Sequence, residues 1–328
     1  MKKEKLIIRK ANKNESKLLS QIALTSKSHW PYSKDYLDKC VEALHISEDY
    51  IEQWPVYVAE VENAPVGFYA LKIIKDEPRL DNLWILPDFI GNGIGNKLFN
   101  HAILEASKLG WTNFRLAADP YATGFYEKLG ARHVGVVQSK IKPDLFLPHM
   151  EFQIPPLSID FRLFNSSDSI KEINVLLLSS YKALAEKGMR FAASHEDESA
   201  TKRNIEYGEC YIGILNNEIV TCAMLRIPNK VEKAGWKANR PNWYQVEGIA
   251  TFGRFAVSPK FQRLKIGSKM MDVIESRARE LGFLELALDT SEHADHLIKM
   301  YESRGYRFIE YHQWGITNYR SVVMSKKL

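Results

Sequence analysis

The chain has 328 residues, enough for about two domains with a core each. Hydrophobic residues make up 45% and charged residues 26%, the balance of an ordinary globular protein. The net charge of +5, from 45 basic against 40 acidic residues, comes without basic runs or a long apolar stretch, which argues against nucleic-acid binding and against a membrane span of ~20 residues.

The first ten residues carry charges but no apolar core, so they do not read as a signal peptide. Cys40, Cys210 and Cys222 are scattered, have no zinc-ligand spacing and suit a reducing compartment. The expectation is a cytoplasmic protein. A strand is predicted over 5–11, then helices over 14–27 and 33–52, parted by Ser28-His29-Trp30-Pro31-Tyr32. Strands follow over 55–62, 65–75 and 79–86. The last runs into Pro87 and a glycine-rich loop, and a helix over 92–109 stops near Gly110. A strand over 113–118, a helix over 121–129 and strands over 131–140 and 146–153 complete this half. Pro155-Pro156-Leu157-Ser158 then reads as a short, stiff connector.

After the connector the pattern restarts. Ile159-Asp160-Phe161-Arg162 echoes Leu6-Ile7-Ile8-Arg9 at an offset of 162 − 9 = 153. Pro87 and Pro259 lie 259 − 87 = 172 apart, and so do Gly95 and Gly267. Tyr126 and Tyr301, each within a Tyr-Glu-x-x-Gly run, lie 301 − 126 = 175 apart. A repeat of this length means two copies of one domain rather than a solenoid of about 20–50-residue units. The difference, 172 − 153 = 19, is an insertion in the second copy, placed within 226–245 and expected to be a surface loop. The second copy then reads as strand 249–257, helix 267–281 closed by Gly282, strand 284–288, helix 292–303 with Ser291 as its cap, and strands 306–313 and 320–324.

Strand, tight loop and helix N-terminus form an arrangement suited to phosphate, because the first helical N–H groups lack internal partners and the dipole favours an anion. The loops are Ile90-Gly91-Asn92-Gly93-Ile94-Gly95-Asn96 and Gln262-Arg263-Leu264-Lys265-Ile266-Gly267-Ser268. With the downstream Tyr126 and Tyr301 they resemble the acetyl-CoA loop of the GNAT N-acetyltransferase superfamily, whose signature is Q/R-x-x-G-x-G/A. The resemblance covers most of each half. A Rossmann dinucleotide site fits less well, since the downstream segments match the transferase tyrosine run. Each copy departs from the signature: Ile90 stands at the Gln/Arg position of the first, and Lys265 at a Gly position of the second. The Lys265 ammonium suits phosphate, while its side chain could equally crowd the cofactor.

The resemblance implies an α/β (α+β) protein of two tandem domains, 1–154 and 159–328, joined by 155–158. Each would be a mixed twisted sheet flanked by helices, with its fourth and fifth strands splayed around the pantetheine arm. Main-chain groups of Leu83 and Ile85, and of Phe255, Ala256 and Val257, would line that gap. It also implies acetyl transfer from acetyl-CoA to a primary amine of a small molecule or peptide. Tyr126 or Tyr301 would protonate the leaving thiolate, with the second copy favoured. Asp81 and Glu247, near the matching strands, are candidate bases, Asp81 by sharing strand parity with Leu83 and Ile85. The connections holding Ser28–Tyr32 and Gly188-Met189-Arg190-Phe191 would line the acceptor pocket, with Arg190 available to a carboxylate. Asp289, Glu292, His293 and His296 lack a partner set elsewhere and read as no metal site. A non-catalytic acyl-CoA-binding or scaffold protein with one or both sites degenerate is the alternative, and oligomeric state is left open.

Overall fold

In the computed structural model the chain is described over residues 6–139, 141–142, 144–228 and 239–328. The predicted insert segment Lys230–Trp236 lies outside these residues. The chain divides into two compact units, Met1–Pro156 and Leu157–Leu328.

In the first unit the elements run β1 (Leu6–Lys10), α1 (Ser16–Ser28), α2 (Lys34–Ala43), α3 (Glu48–Gln53), β2 (Val56–Val61), β3 (Ala64–Ile74), β4 (Glu77–Ile85), α4 (Ile94–Lys108), β5 (Asn113–Ala117), α5 (Thr123–Lys128), β6 (Arg132–Gln138) and β7 (Phe146–Gln153). In the second they run β8 (Asp160–Leu163), α6 (Ile170–Glu186), α7 (Glu198–Glu206), β9 (Gly208–Leu215), β10 (Glu218–Arg226), β11 (Ile249–Val257), α8 (Ile266–Glu280), β12 (Glu285–Ser291), α9 (Asp295–Ser303), β13 (Arg307–His312) and β14 (Ser321–Lys327). The sheets have the same order, β1-β2-β3-β4-β5-β7-β6 and β8-β9-β10-β11-β12-β14-β13. In each, one central pair is parallel, β4 with β5 and β11 with β12, and the other ladders are antiparallel.

Apolar stripes place the helices. Leu98, Phe99, Ala102 and Ala106 recur at helical spacing on α4 and pack with Tyr69, Phe114 and Leu116 on one sheet face. Leu19, Ile22 and Ala23 of α1 pack with Val56, Val58 and Phe68 on the other. In the second unit Met270, Met271, Ile274 and Ala278 of α8 meet Phe252, Leu286 and Leu288, while Ile173, Leu176 and Leu177 of α6 meet Ile212, Cys222 and Met224. Each fully buried side chain of this size contributes about 1.5–3 kcal/mol, so the two-sided cover rather than helix propensity fixes the layers.

Three predicted helices differ. The helix expected over 33–52 is two, α2 and α3. Its interruption is tertiary: the Ser16 hydroxyl donates to the Ile46 carbonyl at 2.7 Å, and the Ile46 N–H donates to Ser20 Oγ at 2.9 Å, so the Ile46 peptide groups are taken out of helical bonding. Ser47 then caps α3 by accepting the Tyr50 N–H. The helix expected from 92 starts at Ile94, because Gly93 is left-handed at φ 75°. The helix expected from 292 starts at Asp295. Ser291 is not its cap; its hydroxyl accepts the His293 N–H in the preceding turn, and Ala294 occupies the cap position.

The parallel pairs splay. β4 and β5 share a single register pair, Arg79↔Arg115, and β11 and β12 pair only from Ile249↔Glu285 to Thr251↔Ala287. Beyond these points the edges of β4 and β11 are open toward their helix-α4 and helix-α8 ends. Both strands also carry a bulge at the matching place. The β3–β4 register slips at Asp81, between Leu80 and Asn82, and the β10–β11 register slips beside Arg254, which is left-handed at φ 50°.

Candidate acetyl-transfer site

The two glycine-type loops have one backbone. In the first domain Gly91 and Gly93 are left-handed (φ 86° and 75°), and α4 begins at Ile94. In the second, Arg263 and Lys265 adopt the same conformation (φ 66° and 58°) without being glycine, and α8 begins at Ile266. A non-glycine residue there costs on the order of 1–2 kcal/mol, so packing elsewhere must hold this loop. Leu264 supplies part of it, packing against the buried cluster of Leu215, Val220 and Ile266. A Cβ built on Gly91 or Gly93 meets nothing within 4 Å, so a side chain at either position projects into open space rather than into the protein. Gly95 and Gly267 do different work. A Cβ on Gly95 would lie 3.0 Å from Phe125, and one on Gly267 would lie 3.2 Å from Phe255 and 3.3 Å from Val257. These glycines bring the helix close to the strand edge.

In the second domain a cavity of about 600 Å³ joins the loop to the splayed strands. Gln262, Arg263, Lys265, Ile266, Gly267 and Ser268 line one end. Phe252, Gly253, Arg254, Phe255 and Val257 of β11 form one wall, and Leu288, Asp289 and Thr290 of β12 the other. Tyr181 and Phe191 close it from the α6 side, Tyr301 and His296 from α9, and Trp314, Thr317 and Tyr319 from the connection between β13 and β14. The cations Lys187, Arg226, Arg254, Arg263 and Lys265 line it against the carboxylate of Asp289, so its field favours an anion.

The β11 edge is partly committed. The Tyr181 hydroxyl donates to the Phe255 carbonyl at 3.0 Å, and the Ser180 hydroxyl donates to the Val257 carbonyl at 3.1 Å. Ala256 belongs to the β10 ladder opposite Cys222, and its carbonyl accepts the Thr221 hydroxyl. The main-chain N–H groups of Phe255 and Val257 are what this edge offers.

Tyr301 is buried and lines the cavity, with no hydrogen-bond partner for its hydroxyl among the described residues. Burial pushes its phenol well above the ordinary range. Its neighbour Tyr306 instead donates to Glu275. Tyr126 is buried among Phe99 and Phe125, with ring centroids 6.1 and 5.0 Å away, and burial raises its phenol too.

The candidate bases fall elsewhere. Asp81 is exposed and accepts the Tyr50 hydroxyl at 2.6 Å. The bulge defeats the parity argument for it: Leu80, not Asp81, shares the α4 face with Leu83 and Ile85. Glu247 is exposed before the paired end of β11 and is not among the residues that line the cavity. Asp289 accepts from the hydroxyls of Tyr244 and Ser321 and from the Trp314 indole, each at 2.9 Å. Glu292 pairs with Arg320. Arg190 is exposed and outside the cavity lining; the buried guanidinium in the wall is that of Arg226, which sequence reasoning used only as a boundary. An arginine closing the otherwise uncharged run Ile219–Leu225 was the available signal.

The first domain differs at the corresponding place. Burial aligns Leu19 with Ile173 (173 − 19 = 154), which sets Lys27 opposite Tyr181 (181 − 27 = 154). Lys27 is buried and forms an ion pair with Asp119, just beyond β5, and the Tyr32 hydroxyl donates to the same carboxylate at 3.0 and 3.1 Å. Trp30 stacks on Tyr121 beside them. The segment Ser28–Tyr32 thus packs over a buried ion pair.

The acetyltransferase (GNAT) domain model matches residues 52–130, and the acetyltransferase (GNAT) family model matches residues 177–306. The chain belongs to the GNAT acetyltransferases. Both domains carry the match, so it is a tandem member and an acyltransferase. Among curated relatives, the S-(2-succino)cysteine N-acetyltransferase of Bacillus subtilis is 29% identical over 148 residues, 44% of this chain and 82% of that protein. The peptidyl-lysine N-acetyltransferase YjaB of Salmonella typhimurium is 35% identical over 95 residues, 29% of this chain and 61% of that protein. Among solved structures, a GCN5-related N-acetyltransferase from Rhodopseudomonas palustris aligns with a TM-score of 0.41 at 20% identity, over 47% of this chain and 98% of its own.

Proposed function

We propose that the chain is an N-acetyltransferase that uses acetyl-CoA to acetylate a primary amine, and that the second domain does the chemistry. The observation that carries this reading is the second domain's continuous cavity, which runs from the 262–268 loop past the open β11 edge to Tyr301. The residues present fit a CoA-type ligand. Left-handed backbone at Arg263 and Lys265 turns the loop into the α8 N-terminus, whose first N–H groups and two flanking cations suit a diphosphate. The Phe255 and Val257 N–H groups suit the carbonyls of an extended arm. Bound acetyl-CoA would supply the electrophilic thioester carbonyl. Tyr301 keeps its proton on Oη, because burial disfavours the phenolate, and holds it inside the cavity as a general acid. The aromatic walls at Tyr181, Phe191 and Tyr319 exclude water around it.

The two curated relatives act, by name, on an amino acid and on peptidyl lysine, both of which present an amine. For the first domain the buried Lys27–Asp119 pair and the Trp30–Tyr121 stack favour a non-catalytic, structural role. The test is to incubate the full chain with acetyl-CoA and a panel of small-molecule and lysyl-peptide amines. Thiol release and product mass are then followed. Turnover with at least one amine, lost on substitution of Lys265 but not on substitution at Gly93, supports the reading. No thiol release above hydrolysis with any amine overturns it.

A further inference from the structure

We infer that Tyr319 and Asp289 form the acceptor end of the second-domain cavity, and that they receive the amine as an ammonium carried on an apolar body. This rests on the acetyl-transfer reading and narrows it to a substrate class. Tyr319 lines the cavity and is 6% exposed, and its hydroxyl has no partner among the described residues. A buried hydroxyl left without a partner at a cavity wall is one that a ligand can satisfy. Its ring packs on Phe191, with centroids 5.0 Å apart. Both of its chain neighbours are tied down. Asn318 accepts the Arg190 N–H at 2.9 Å and donates to the Gly188 carbonyl at 2.8 Å, and Arg320 pairs with Glu292 at 2.8 Å. Tyr319 is thus held in one place by the structure around it, as a positioning residue must be.

Asp289 supplies the charge. It is the only carboxylate among the described residues that line the cavity. The Tyr244 hydroxyl donates to its Oδ1, and the Trp314 indole and Ser321 hydroxyl donate to its Oδ2, each at 2.9 Å. All three donors are neutral, and no described lysine or arginine, Arg226 included, forms an ion pair with it. A carboxylate offers about four acceptor sites, so an Oδ1 lone pair remains for a ligand. A half-buried carboxylate without a counter-ion gains from a cationic one. Burial, and next the Asp289 charge, raise the Tyr319 phenol well above its ordinary range, which places the two groups within electrostatic reach of each other. Burial, then Tyr181, then the same Asp289 charge raise Tyr301, so the acceptor end adjoins the proposed acid. An ammonium has three N–H donors: one suits the open Oδ1 site and another the oxygen of Tyr319. The apolar body would lie against Tyr181, Phe191 and Trp314, whose ring faces also favour a cation.

The experiment is a calorimetric titration of the full chain, saturated with CoA, at neutral pH. The panel is hexylamine, phenethylamine and N-acetyl-lysine amide, each beside the alcohol of the same skeleton. The inference expects saturable binding of at least one amine, with its alcohol at least about tenfold weaker. Asp289→Asn should abolish the amine-over-alcohol preference. Tyr319→Phe, which removes only an oxygen without a protein partner, should weaken the amine roughly three- to tenfold, with melting temperature and CoA affinity unchanged. No binding amine in the panel, an alcohol equal to its amine, an intact preference in Asp289→Asn, or full amine affinity in Tyr319→Phe overturns it. If Asp289→Asn does not fold, the amine-to-alcohol ratio of the unaltered chain and the Tyr319→Phe titration decide. The two readings fail separately. Amines that bind with this preference but release no thiol from acetyl-CoA sink acetyl transfer and leave the ammonium site. Turnover with the same amine KM in Tyr319→Phe and Asp289→Asn as in the unaltered chain sinks the site and leaves acetyl transfer.

Discussion

Tyr301→Phe separates catalysis from packing. Tyr301 is 6% exposed and lines the cavity, and its hydroxyl has no partner among the described residues. Removing that oxygen therefore orphans no buried donor or acceptor, and the ring remains to pack with Tyr306 at 5.9 Å. The stability change should stay within about 0.5 kcal/mol, or ~1–2 °C in melting temperature for a domain of this size. If the hydroxyl protonates the leaving thiolate, turnover should fall about 10²-fold, equivalent to about 2.7 kcal/mol of lost transition-state stabilisation. The affinity for acetyl-CoA should barely move, because the proton is used in the transition state and not in binding. Tyr126→Phe, made in parallel, should leave turnover with the same amine unchanged. The assay is steady-state thiol release with both variants, alongside melting curves and calorimetric acetyl-CoA titration. Unchanged turnover in Tyr301→Phe refutes the acid. A loss matched by a large drop in melting temperature refutes the separation, and a crippled Tyr126→Phe moves the chemistry to the first domain.

The phenol's raised pKa fixes a sign. Tyr301 should remain protonated through neutral and mildly alkaline pH, while an ordinary acceptor amine of pKa about 10 loses its proton, so kcat/KM should climb from pH 7 toward 10. An alkaline fall below about pH 10 that disappears in Tyr301→Phe would contradict this. Lys265→Glu reverses a charge at the head of α8, and it should weaken acetyl-CoA at least tenfold by calorimetry, with the fold intact by circular dichroism. Equal affinity would remove the loop from the cofactor site. Lys27→Met strands the buried Asp119 carboxylate and should destabilise the first domain by about 3 kcal/mol or more, with acetyl transfer unchanged. A melting curve identical to that of the unaltered chain would show that the pair is not needed, and partial recovery in Lys27→Met/Asp119→Leu would confirm its cause.

The architecture was legible because it is written in local terms. Apolar periodicity set the strands and helices, and the repeated Pro87/Pro259 and Gly95/Gly267 punctuation announced two like domains before any contact was known. The resemblance of the two loops and the tyrosine segments led to the family that both domain matches support. Parity reasoning failed at Asp81 because a bulge adds one residue to β4, and a bulge is set by pairing with β3, not by β4's own pattern. The helix over 33–52 failed because Ser16 and Ser20, far back in the chain, capture the peptide groups of Ile46.

What the sequence by itself determined is the domain repeat, the sheet-and-helix order and the loop that turns into α4 and α8. These depend on residue spacing and on the backbone freedom of a few positions. Only the tertiary structure decided how the two copies differ. It showed that Arg263 and Lys265 hold the left-handed turn that glycine holds in the first copy. It also put Tyr181 over the β11 edge, where Lys27 and Asp119 form a buried pair in the other domain. Finally, it brought Arg226, Asp289 and Tyr301 from three separate elements to one cavity. Side chains from distant segments meet through packing and burial, and the free energy of that meeting has no counterpart in local spacing.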